Sequence, residues 1–407
     1  MTERKKTGFE ALAKSGLYPQ EEMLRVKKGK KSFLIGLPQE ISLQENRISL
    51  TPDAVALLVS RGHDVWVERK AGEGSKFTDK QYSEAGATIV HSPQEVYKAD
   101  IILKIEPPTP EEVELFKPGQ TLISALQLGH LDQEYIHALL RKKVTALAYE
   151  FIEDKVGGMP IIRAMSEIAG STVILIAAEY LSTANKGKGV ILGGITGVPP
   201  TKVVIVGAGT VAEYAARAAL SLGAEIQVFD NQIYKLRRIK HTLGHQFYTS
   251  TIDTVTLSES LKKADVVIGA LRAEKGKTRH VISEEMVSQM KPDSLIIDLS
   301  IDQGGCVATS EITSHDKPVF RKHGVIHYCV PNVASRVAHT ATTALSNIFT
   351  PTILRAAEEG GVEEMIFSHK WFMKGVYTYK GGLTNESIAR KFGMKHKSIE
   401  LLMAARV

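Results

Sequence analysis

The sequence predicts an α/β protein with two doubly wound domains and an interdomain cleft. Short apolar segments typical of buried strands alternate with segments of helical periodicity, first over residues 32–160 and again from Lys202 onward. Longer helical patterns at about Ser166–Leu181 and His339–Glu359 connect the two series. Because both helices would cross between the domains, we expect them to form a hinge beside the cleft.

The first series begins with an apolar strand and a helix that Thr51-Pro52-Asp53 opens and Gly62 ends. The further elements follow at the spacing expected of parallel β-α-β units. The predicted strands are Phe33–Leu37, Val65–Val67, Asp100–Ile105, Thr121–Leu126 and Thr145–Tyr149, with a helix at Gln133–Arg141.

A Gly-rich loop at Gly187–Gly197 and the pair Pro199-Pro200 precede the second series. The chain ends with one more predicted short helix, Asn385–Phe392, for which Thr384 is the expected N-cap and Gly393 the stop. The second series comprises the strands Lys202–Val206, Glu225–Phe229, Ala264–Ile268, Ser294–Leu299 and Val325–Cys329, and the helix Ala212–Leu222.

The composition, with 43% apolar and 24% charged residues, is that of a globular protein. The most apolar helical stretch, Ile168–Ala178, has 11 residues, whereas about 20 are needed to span a bilayer. The N-terminus lacks the apolar core of a secretory signal. The two cysteines, Cys306 and Cys329, form no CxxC pair, which argues against a disulfide framework or a zinc site. We therefore expect a cytoplasmic protein without a bound metal.

The net charge of +6 is concentrated at the N-terminus. Residues 1–31 hold nine Lys or Arg and four Glu, a balance of +5, which leaves +1 for the rest of the chain. A basic extension is usually a solvated arm. Binding of nucleic acid or of an acidic surface by this arm is the less favoured alternative.

A nucleotide-binding motif follows the apolar strand that ends at Val206. The segment Gly207-Ala208-Gly209-Thr210-Val211-Ala212 has the form G-x-G-x-x-A, it opens an amphipathic helix, and Asp230 stands 23 residues after Gly207 at the end of the next strand. This is the context of the Rossmann fingerprint. The first glycine permits the tight turn, the second admits a pyrophosphate to the backbone, and the helix N-terminus favours its negative charge.

The carboxylate of Asp230 would accept hydrogen bonds from ribose hydroxyls and repel a 2′-phosphate, so we predict NAD rather than NADP. The sequence thus predicts two Rossmann-like domains of different roles. Residues 1–31 form a basic extension, residues 32–160 with 339–407 a substrate domain, and residues 161–338 an NAD-binding domain.

From about residue 33 to 400 the chain resembles the alanine dehydrogenase family, which is related to the soluble NAD-binding component of proton-translocating transhydrogenase. The resemblance lies in three sets of motifs found in this order. They are IGLPQEISLQENRISLTPDAVALLVSRGHDVWVE with AGEGSKFTD and ADIILKIEPP, then RAMSEIAGS with LGGITGVPPTKVVIVGAGT, and finally IIDLSIDQGGC with HYCVPNVASRVAHTATTALSN. The resemblance implies a homo-oligomeric enzyme that interconverts L-alanine and pyruvate with NAD.

The resemblance also implies roles for individual residues. Arg47 would hold the substrate carboxylate with Lys104 nearby, although a surface salt bridge to Glu45 is an alternative for Arg47. Asp302 would be the essential aspartate beside nicotinamide and substrate, although a turn carboxylate before Gly304 is an alternative. The residues expected to contact the cofactor are Ser166, Gly207, Gly209, Thr210, Val211, Asp230, Ala270, Leu271, Leu299, Asp302, Val330 and Asn332.

Two positions depart from the family pattern. Gln127 stands where the family has a histidine that exchanges a proton with the substrate, and a glutamine cannot do this near neutral pH. The family also has two lysines at i and i+2, of which Lys104 keeps the first while Glu106 replaces the second. A shift in register that brings His130 into the histidine's place is a less favoured possibility.

Three functional hypotheses follow. The favoured one is an NAD-dependent amino-acid dehydrogenase, for alanine or another 2-amino acid, in which Asp302 or Glu106 takes the proton role of the histidine. A transhydrogenase subunit would not need that histidine, but its R-x-Q-x-x-D signature is absent and no membrane segment follows. The third hypothesis is a non-catalytic NAD-sensing or nucleic-acid-binding protein, suggested by the basic extension and by LTNESIARKFGM, which we interpret instead as C-terminal packing.

Overall fold

The computed structural model describes residues 30–42, 44–129, 131–272 and 280–404. The expectation for the basic extension therefore lies almost wholly outside the described residues, as does that for His130.

The strands are β1 (Leu34–Leu37), β2 (Asp64–Glu68), β3 (Thr88–Val90), β4 (Ile101–Leu103), β5 (Thr121–Ser124), β6 (Thr145–Ala148), β7 (Lys202–Val206), β8 (Glu225–Phe229), β9 (Tyr248–Ser250), β10 (Val266–Gly269), β11 (Leu295–Asp298), β12 (Val319–Lys322), β13 (Val325–Tyr328), β14 (Val376–Tyr379) and β15 (Gly382–Leu383). The α-helices are α1 (Pro52–Ser60), α2 (Asp79–Glu84), α3 (Pro93–Val96), α4 (Pro110–Glu114), α5 (Gln133–Arg141), α6 (Pro160–Leu181), α7 (Thr210–Ser221), α8 (Ile233–Leu243), α9 (Thr254–Lys263), α10 (Glu284–Ser288), α11 (Ala338–Glu358), α12 (Val362–Ser368), α13 (Lys370–Met373), α14 (Glu386–Phe392) and α15 (Ile399–Ala404).

The strands form two sheets, each with a doubly wound core, which confirms the predicted fold class. The first sheet has the order β15-β14-β6-β5-β4-β1-β2-β3, in which β14 is antiparallel to both of its neighbours and the other pairs are parallel. The second has the order β12-β13-β11-β10-β7-β8-β9, with only β12 antiparallel. When only the parallel strands of each sheet are counted along the chain, both sheets have the order 3-2-1-4-5-6, as β3-β2-β1-β4-β5-β6 and as β9-β8-β7-β10-β11-β13. The strand order therefore reverses between β1 and β4 and again between β7 and β10.

Helices α6 and α11 pack against each other and link the two halves. The first core includes Ile161 from the start of α6 and Leu345 from α11, whereas the second includes Val173 and Ile176 from the later part of α6. Helix α6 therefore belongs to both cores.

Helix α6 is longer than the apolar stretch predicted from the sequence. It has 22 residues because Pro160 supplies the N-terminal start and the helix continues past Glu179. Within the described residues it is the one helix that could span a membrane by length and composition, and 39% of its most apolar window is buried inside the protein. The expectation that the apolar stretch is too short to span a bilayer was therefore wrong.

The C-terminal tail also differs from the prediction. It contains β14 and β15, which extend the first sheet, and four α-helices rather than one. The N-cap of α14 is Asn385, whose side chain accepts a hydrogen bond from the backbone N–H of Ile388, and not Thr384. Ile388 is fully buried in a core of the first domain, which confirms that this segment packs as part of the fold.

Candidate functional site

The Gly-rich turn between β7 and α7 has the geometry of a phosphate-binding turn. Gly207 has a φ of +114°, and a Cβ at this position would lie 2.4 Å from the carbonyl oxygen of Ala270, so only glycine fits. A Cβ at Gly209 would have no atom within 4 Å. The open space before Gly209 at the N-terminus of α7 can therefore receive an anionic group.

Asp230 stabilises the Gly-rich turn. Its Oδ2 accepts a hydrogen bond of 2.8 Å from the backbone N–H of Ala208, and its Oδ1 accepts one of 2.7 Å from that of Gln232. Arg238 on α8 donates to the carbonyl oxygen of Ala208 over 3.1 Å, a contact that the fingerprint pattern does not include. The open space at Gly209 could receive the pyrophosphate of a dinucleotide. The carboxylate of Asp230, which follows β8, could then face the ribose hydroxyls.

A cavity of about 290 Å³ lies in the cleft, between α6 and the carboxyl ends of β10, β11 and β13. Most of the predicted cofactor contacts line it together with one predicted substrate residue. These are Arg47, Ser166, Val211, Ala270, Leu271, Leu299, Asp302, Val330 and Asn332.

Four predicted residues, Gly207, Gly209, Thr210 and Asp230, lie instead around the Gly-rich turn, where the other end of a dinucleotide would rest. Sequence reasoning did not single out other lining residues, namely Ile162, Met165, Ala169, Arg272, Gln303 and Ala334.

The loop after β11 presents Asp302 to this cavity. Asp302 lies in the 3-10 turn Ile301–Gln303 and is exposed. The fully buried Asp298 holds the loop from within, because it accepts hydrogen bonds from the backbone N–H groups of Ser300 (3.0 Å) and Cys306 (2.9 Å) and from the Ser310 hydroxyl (2.8 Å). Asp298 could not be recognised from the sequence, because it is the last residue of a wholly buried strand and no motif marks it.

Arg47 forms a buried, bidentate ion pair with Glu45. Nε lies 2.8 Å from Oε1 and Nη2 lies 2.6 Å from Oε2, and the two side chains are 6% and 1% exposed. Asn332 and Ser335, from the opposite side of the cleft, also donate to Glu45. The pair is thus internal rather than a surface salt bridge. The remaining nitrogen, Nη1, is 3.4 Å from the sulfur of Met165.

Lys104 does not line the cleft cavity. It is 1% exposed, and its ammonium lies 2.9 Å from Glu112 and 3.3 Å from Glu40. Glu40 follows β1 and Lys104 follows β4, so this cluster marks the point where the strand order of the first sheet reverses. The two carboxylates outweigh the effect of burial and raise the pKa of Lys104.

Glu106 and Gln127, the two departures from the family pattern, are in direct contact. The side-chain amide of Gln127 donates a short hydrogen bond to Oε2 of Glu106. Oε1 of Glu106 lies 3.8 Å from Nη2 of Arg47. Both residues line a second cavity of about 440 Å³, whose wall includes Asp132 and Glu134. Glu106 therefore lines the second cavity and also contacts Arg47, which lines the cleft cavity.

The carboxyl groups around Arg47 differ in pKa. Burial would raise the pKa of Glu45, but the guanidinium of Arg47 outweighs it and lowers that pKa. Burial, with the charge of Glu45, raises the pKa of Glu106 to about 8. Burial also raises the pKa of Glu40 to about 7. The site therefore combines one firmly ionised carboxylate with two that change charge near neutral pH.

Among the residues that the structure describes, no group of three or more His, Cys, Asp or Glu side chains could hold a metal ion. Cys306 and Cys329 are free and buried, and burial raises the pKa of the Cys329 thiol to about 11.

Comparisons with known proteins agree with these features. Residues 36–169 match the model of the alanine dehydrogenase/PNT N-terminal domain and residues 173–386 that of the C-terminal domain. The alanine dehydrogenase of Bacillus subtilis is 39% identical over 90% of this chain and 97% of its own length. That of Methanococcus maripaludis is 39% identical over 90% of this chain and 99% of its own length.

Among solved structures, an L-alanine dehydrogenase matches with a TM-score of 0.82 and 34% identity over 88% of this chain and 99% of its own. A transhydrogenase from Sinorhizobium meliloti matches with a TM-score of 0.75 over 87% of this chain and 99% of its own, but at 23% identity this likeness shows the fold alone. The chain belongs to the alanine dehydrogenase/PNT family of oxidoreductases.

Proposed function

We propose that this protein is an NAD-dependent dehydrogenase that interconverts L-alanine and pyruvate, or a closely related 2-amino acid and its 2-oxo acid. The observation that carries the proposal is the cleft cavity. Its lining includes Arg47, which can bind a carboxylate, together with Asp302 and the strand ends that would enclose a nicotinamide ring. The names of the relatives, alanine dehydrogenases at 39% identity over most of the chain, support this substrate class.

The cofactor that fits the second domain is NAD. When bound, NAD⁺ supplies a hydride acceptor, and the overall reaction turns the amino acid, NAD⁺ and water into the 2-oxo acid, ammonium, NADH and a proton. Gly207 and Gly209 would admit the pyrophosphate to the start of α7, and Asp230 would face the adenosine ribose. A 2′-phosphate would meet the negative charge of Asp230, which is buried beside the turn, so the site favours NAD over NADP.

Arg47 would hold the substrate carboxylate while it stays paired with Glu45. A guanidinium has five N–H donors, and Glu45 occupies only the Nε and Nη2 side of it. The Nη1 group lies 3.4 Å from the sulfur of Met165, a weak acceptor, and both Arg47 and Met165 line the cleft cavity. A substrate carboxylate would be a much stronger acceptor there. The ion pair with Glu45 therefore orients the guanidinium.

Lys104 and Asp302 would have different roles. The two carboxylates that surround Lys104 make it a buried support for the loop after β4 rather than a direct substrate ligand. Asp302, on a loop fixed by Asp298, would orient ammonia or water at the reacting carbon. Closure of the two domains about α6 and α11 would exclude water from the cavity.

The experiment is the oxidation of NADH by the purified protein with pyruvate and ammonium, followed by NADH absorbance, with NADPH as the control nucleotide. Turnover that needs all three reactants and prefers NADH supports the proposal. Bound NADH without turnover on pyruvate or any other 2-oxo acid would overturn it. We also propose a homo-oligomer in the cytoplasm, for which light scattering of the full chain and cell fractionation are the tests.

A further inference from the structure

We propose that the carboxyl group of Glu106 transfers protons to and from the substrate nitrogen, and that Gln127 is its positioning residue. This inference rests on the proposed amino-acid dehydrogenase function. The side chains at the two positions where the chain departs from its family, Glu106 and Gln127, contact each other. The two departures from the family pattern therefore change a single interaction, the hydrogen bond between Gln127 and Glu106.

The geometry fixes both oxygens of Glu106. Oε1 faces Nη2 of Arg47 at 3.8 Å, and Oε2 accepts the hydrogen bond from the amide of Gln127. The backbone of Gln127 is itself held, since its N–H and that of Leu126 donate to Oε1 of Glu150 over 3.1 and 2.8 Å. In a 2-amino acid the amino nitrogen is bonded to the carbon that carries the carboxylate. A group beside the arginine that binds the carboxylate is therefore within reach of that nitrogen.

The neighbouring ionisable groups are less suited to this step. Glu45 is held ionised by Arg47, and its two oxygens already accept hydrogen bonds from that guanidinium. Lys104 is enclosed by two carboxylates and lines neither the cleft cavity nor the second cavity, on which Glu106 lies. Gln127 does not titrate. Glu106 is buried enough to hold a proton near neutral pH and, at 13% exposure, is still open to a cavity.

In the oxidative direction the Glu106 carboxylate takes one proton from the substrate ammonium and becomes a carboxylic acid. The nitrogen lone pair that this frees forms the C=N bond as the C–H electron pair leaves as hydride to the cofactor. Water then adds to the carbon. Its oxygen becomes the carbonyl oxygen, and its two protons end on the nitrogen, which leaves as ammonium. Glu106 returns its proton to solvent, which is the one proton that the overall reaction releases.

Burial and the charges around Glu106 give its carboxyl group a pKa close to neutral pH. Burial and the negative charges of Glu45 and Glu40 raise its pKa, the positive charge of Arg47 lowers it, and the result is about 8. Tyr149, on the element after β6, also faces this group, and its own pKa is raised well above the usual value by burial. In the oxidative direction Glu106 acts as a base and must be ionised. The rate of amino-acid oxidation should therefore rise as the pH increases through about 8.

The test compares Glu106→Gln with the wild-type protein, using the pH dependence of kcat in both directions and NADH binding by fluorescence. Glu134→Gln, at an exposed carboxylate that lines the same cavity, is the matched control. We expect Glu106→Gln to lower kcat by roughly 10²- to 10⁴-fold, to abolish the pH change near 8 and to leave NADH binding intact. Asp302→Asn should also lower kcat, but its kcat should keep the pH dependence near 8. Glu106→Asp should restore part of the rate.

A Glu106→Gln protein that keeps both the wild-type rate and the pH change would overturn the inference and leave the proposed function standing. Absence of turnover in the wild-type protein would overturn the proposed function instead. A binding experiment then decides the role of Glu106. Oxamate, a stable 2-oxo acid analogue, should bind the NADH complex less tightly as pH rises through about 8, and Glu106→Gln should remove this dependence. Equal pH dependence in both proteins would contradict the inference.

Discussion

Glu45 and Arg47, two residues apart in sequence, form a bidentate ion pair that is nearly inaccessible to solvent, with N–O distances of 2.8 and 2.6 Å. The pair is completed across the cleft by Asn332 and Ser335. Arg47, the proposed substrate ligand, is thus oriented by Glu45, and Glu45 is in turn held by donors from the other side of the cleft. This arrangement couples the substrate site to the position of the second domain.

The first prediction concerns Arg47→Lys. A lysine keeps the positive charge, but its single ammonium cannot hold Glu45 bidentately and also bind a substrate carboxylate. Losing one charge-assisted hydrogen bond of about 1.5–3 kcal/mol should raise the KM for pyruvate by roughly 10- to 100-fold, with the Kd for NADH unchanged. Arg47→Ala would abolish turnover or raise KM further, but it would also leave Glu45 buried without a counterion, at a cost of about 3–5 kcal/mol in unfolding free energy. An unchanged KM in Arg47→Lys would show that Arg47 does not bind the substrate.

The second prediction uses the two glycines of the nucleotide turn. At Gly209 a Cβ meets no atom of the protein, so Gly209→Ala should keep the wild-type Tm and yet weaken NADH binding at least 10-fold, by roughly 1.4 kcal/mol or more. At Gly207 a Cβ would collide with the backbone of Ala270 and the φ is positive, so Gly207→Ala should lower the Tm as well. Thermal unfolding and NADH fluorescence measure both effects. Normal NADH binding by Gly209→Ala would place the cofactor elsewhere.

The third prediction concerns the choice of nucleotide. In Asp230→Asn the negative charge beside the Gly-rich turn is lost, although an acceptor for the Ala208 N–H remains. Binding of NADH should weaken and binding of NADPH should improve relative to it, so that the ratio of the two Kd values changes by about 10-fold or more, equivalent to roughly 1.4 kcal/mol. Titration of both nucleotides against the same protein gives this ratio directly. A constant ratio would mean that Asp230 does not determine the preference.

The fourth prediction is a pH-dependent change in stability. The pKa of Glu106 is about 8 in the folded protein, above its usual value of 4.5. Between these values the folded protein binds more protons than the unfolded chain, so this group contributes stability that is complete below pH 4.5 and is lost as the pH rises through about 8. Glu106→Gln should remove this loss, with a gain over wild type of up to about 1.4 kcal/mol for each pH unit in the window.

Urea unfolding of wild type and Glu106→Gln at several pH values between these limits measures the effect, with Glu134→Gln as the exposed control. The stability curves of Glu106→Gln and wild type should diverge with rising pH, whereas that of Glu134→Gln should run parallel to wild type. Parallel curves for all three proteins would contradict the raised pKa.

The sequence was most informative where local rules determine structure. The turn at Gly207 was predicted because a glycine pattern follows a wholly apolar strand. Helix α5 was predicted with its observed bounds, and the structure shows that Asp132 caps it. Strand β9 was missed because its residues are exposed or half-buried and carry no apolar pattern. Strand β14 was missed because it pairs with β6, more than 200 residues earlier, and no local signal reports such pairing.

The site could be predicted only in part for the same reason. The motifs predicted Arg47 and Asp302 as site residues, and the structure brings both to one cavity. The burial of the Glu45–Arg47 pair depends on residues of the other domain, which the sequence does not place. The contact between Gln127 and Glu106 depends on two neighbouring strand ends, and the support that Asp298 gives to the Asp302 loop depends on the fold of the IDLSIDQGGC segment.

The most direct measurement is the fate of the Cα hydrogen. The purified protein would be incubated with NAD⁺ and L-alanine that carries deuterium on Cα, and the NADH formed would be analysed by mass spectrometry. The account predicts that each NADH carries one deuterium atom and that pyruvate forms in equal amount. NADH without deuterium would show that hydride does not pass directly from Cα to the cofactor, and no NADH from alanine or any other 2-amino acid would contradict the proposed function itself.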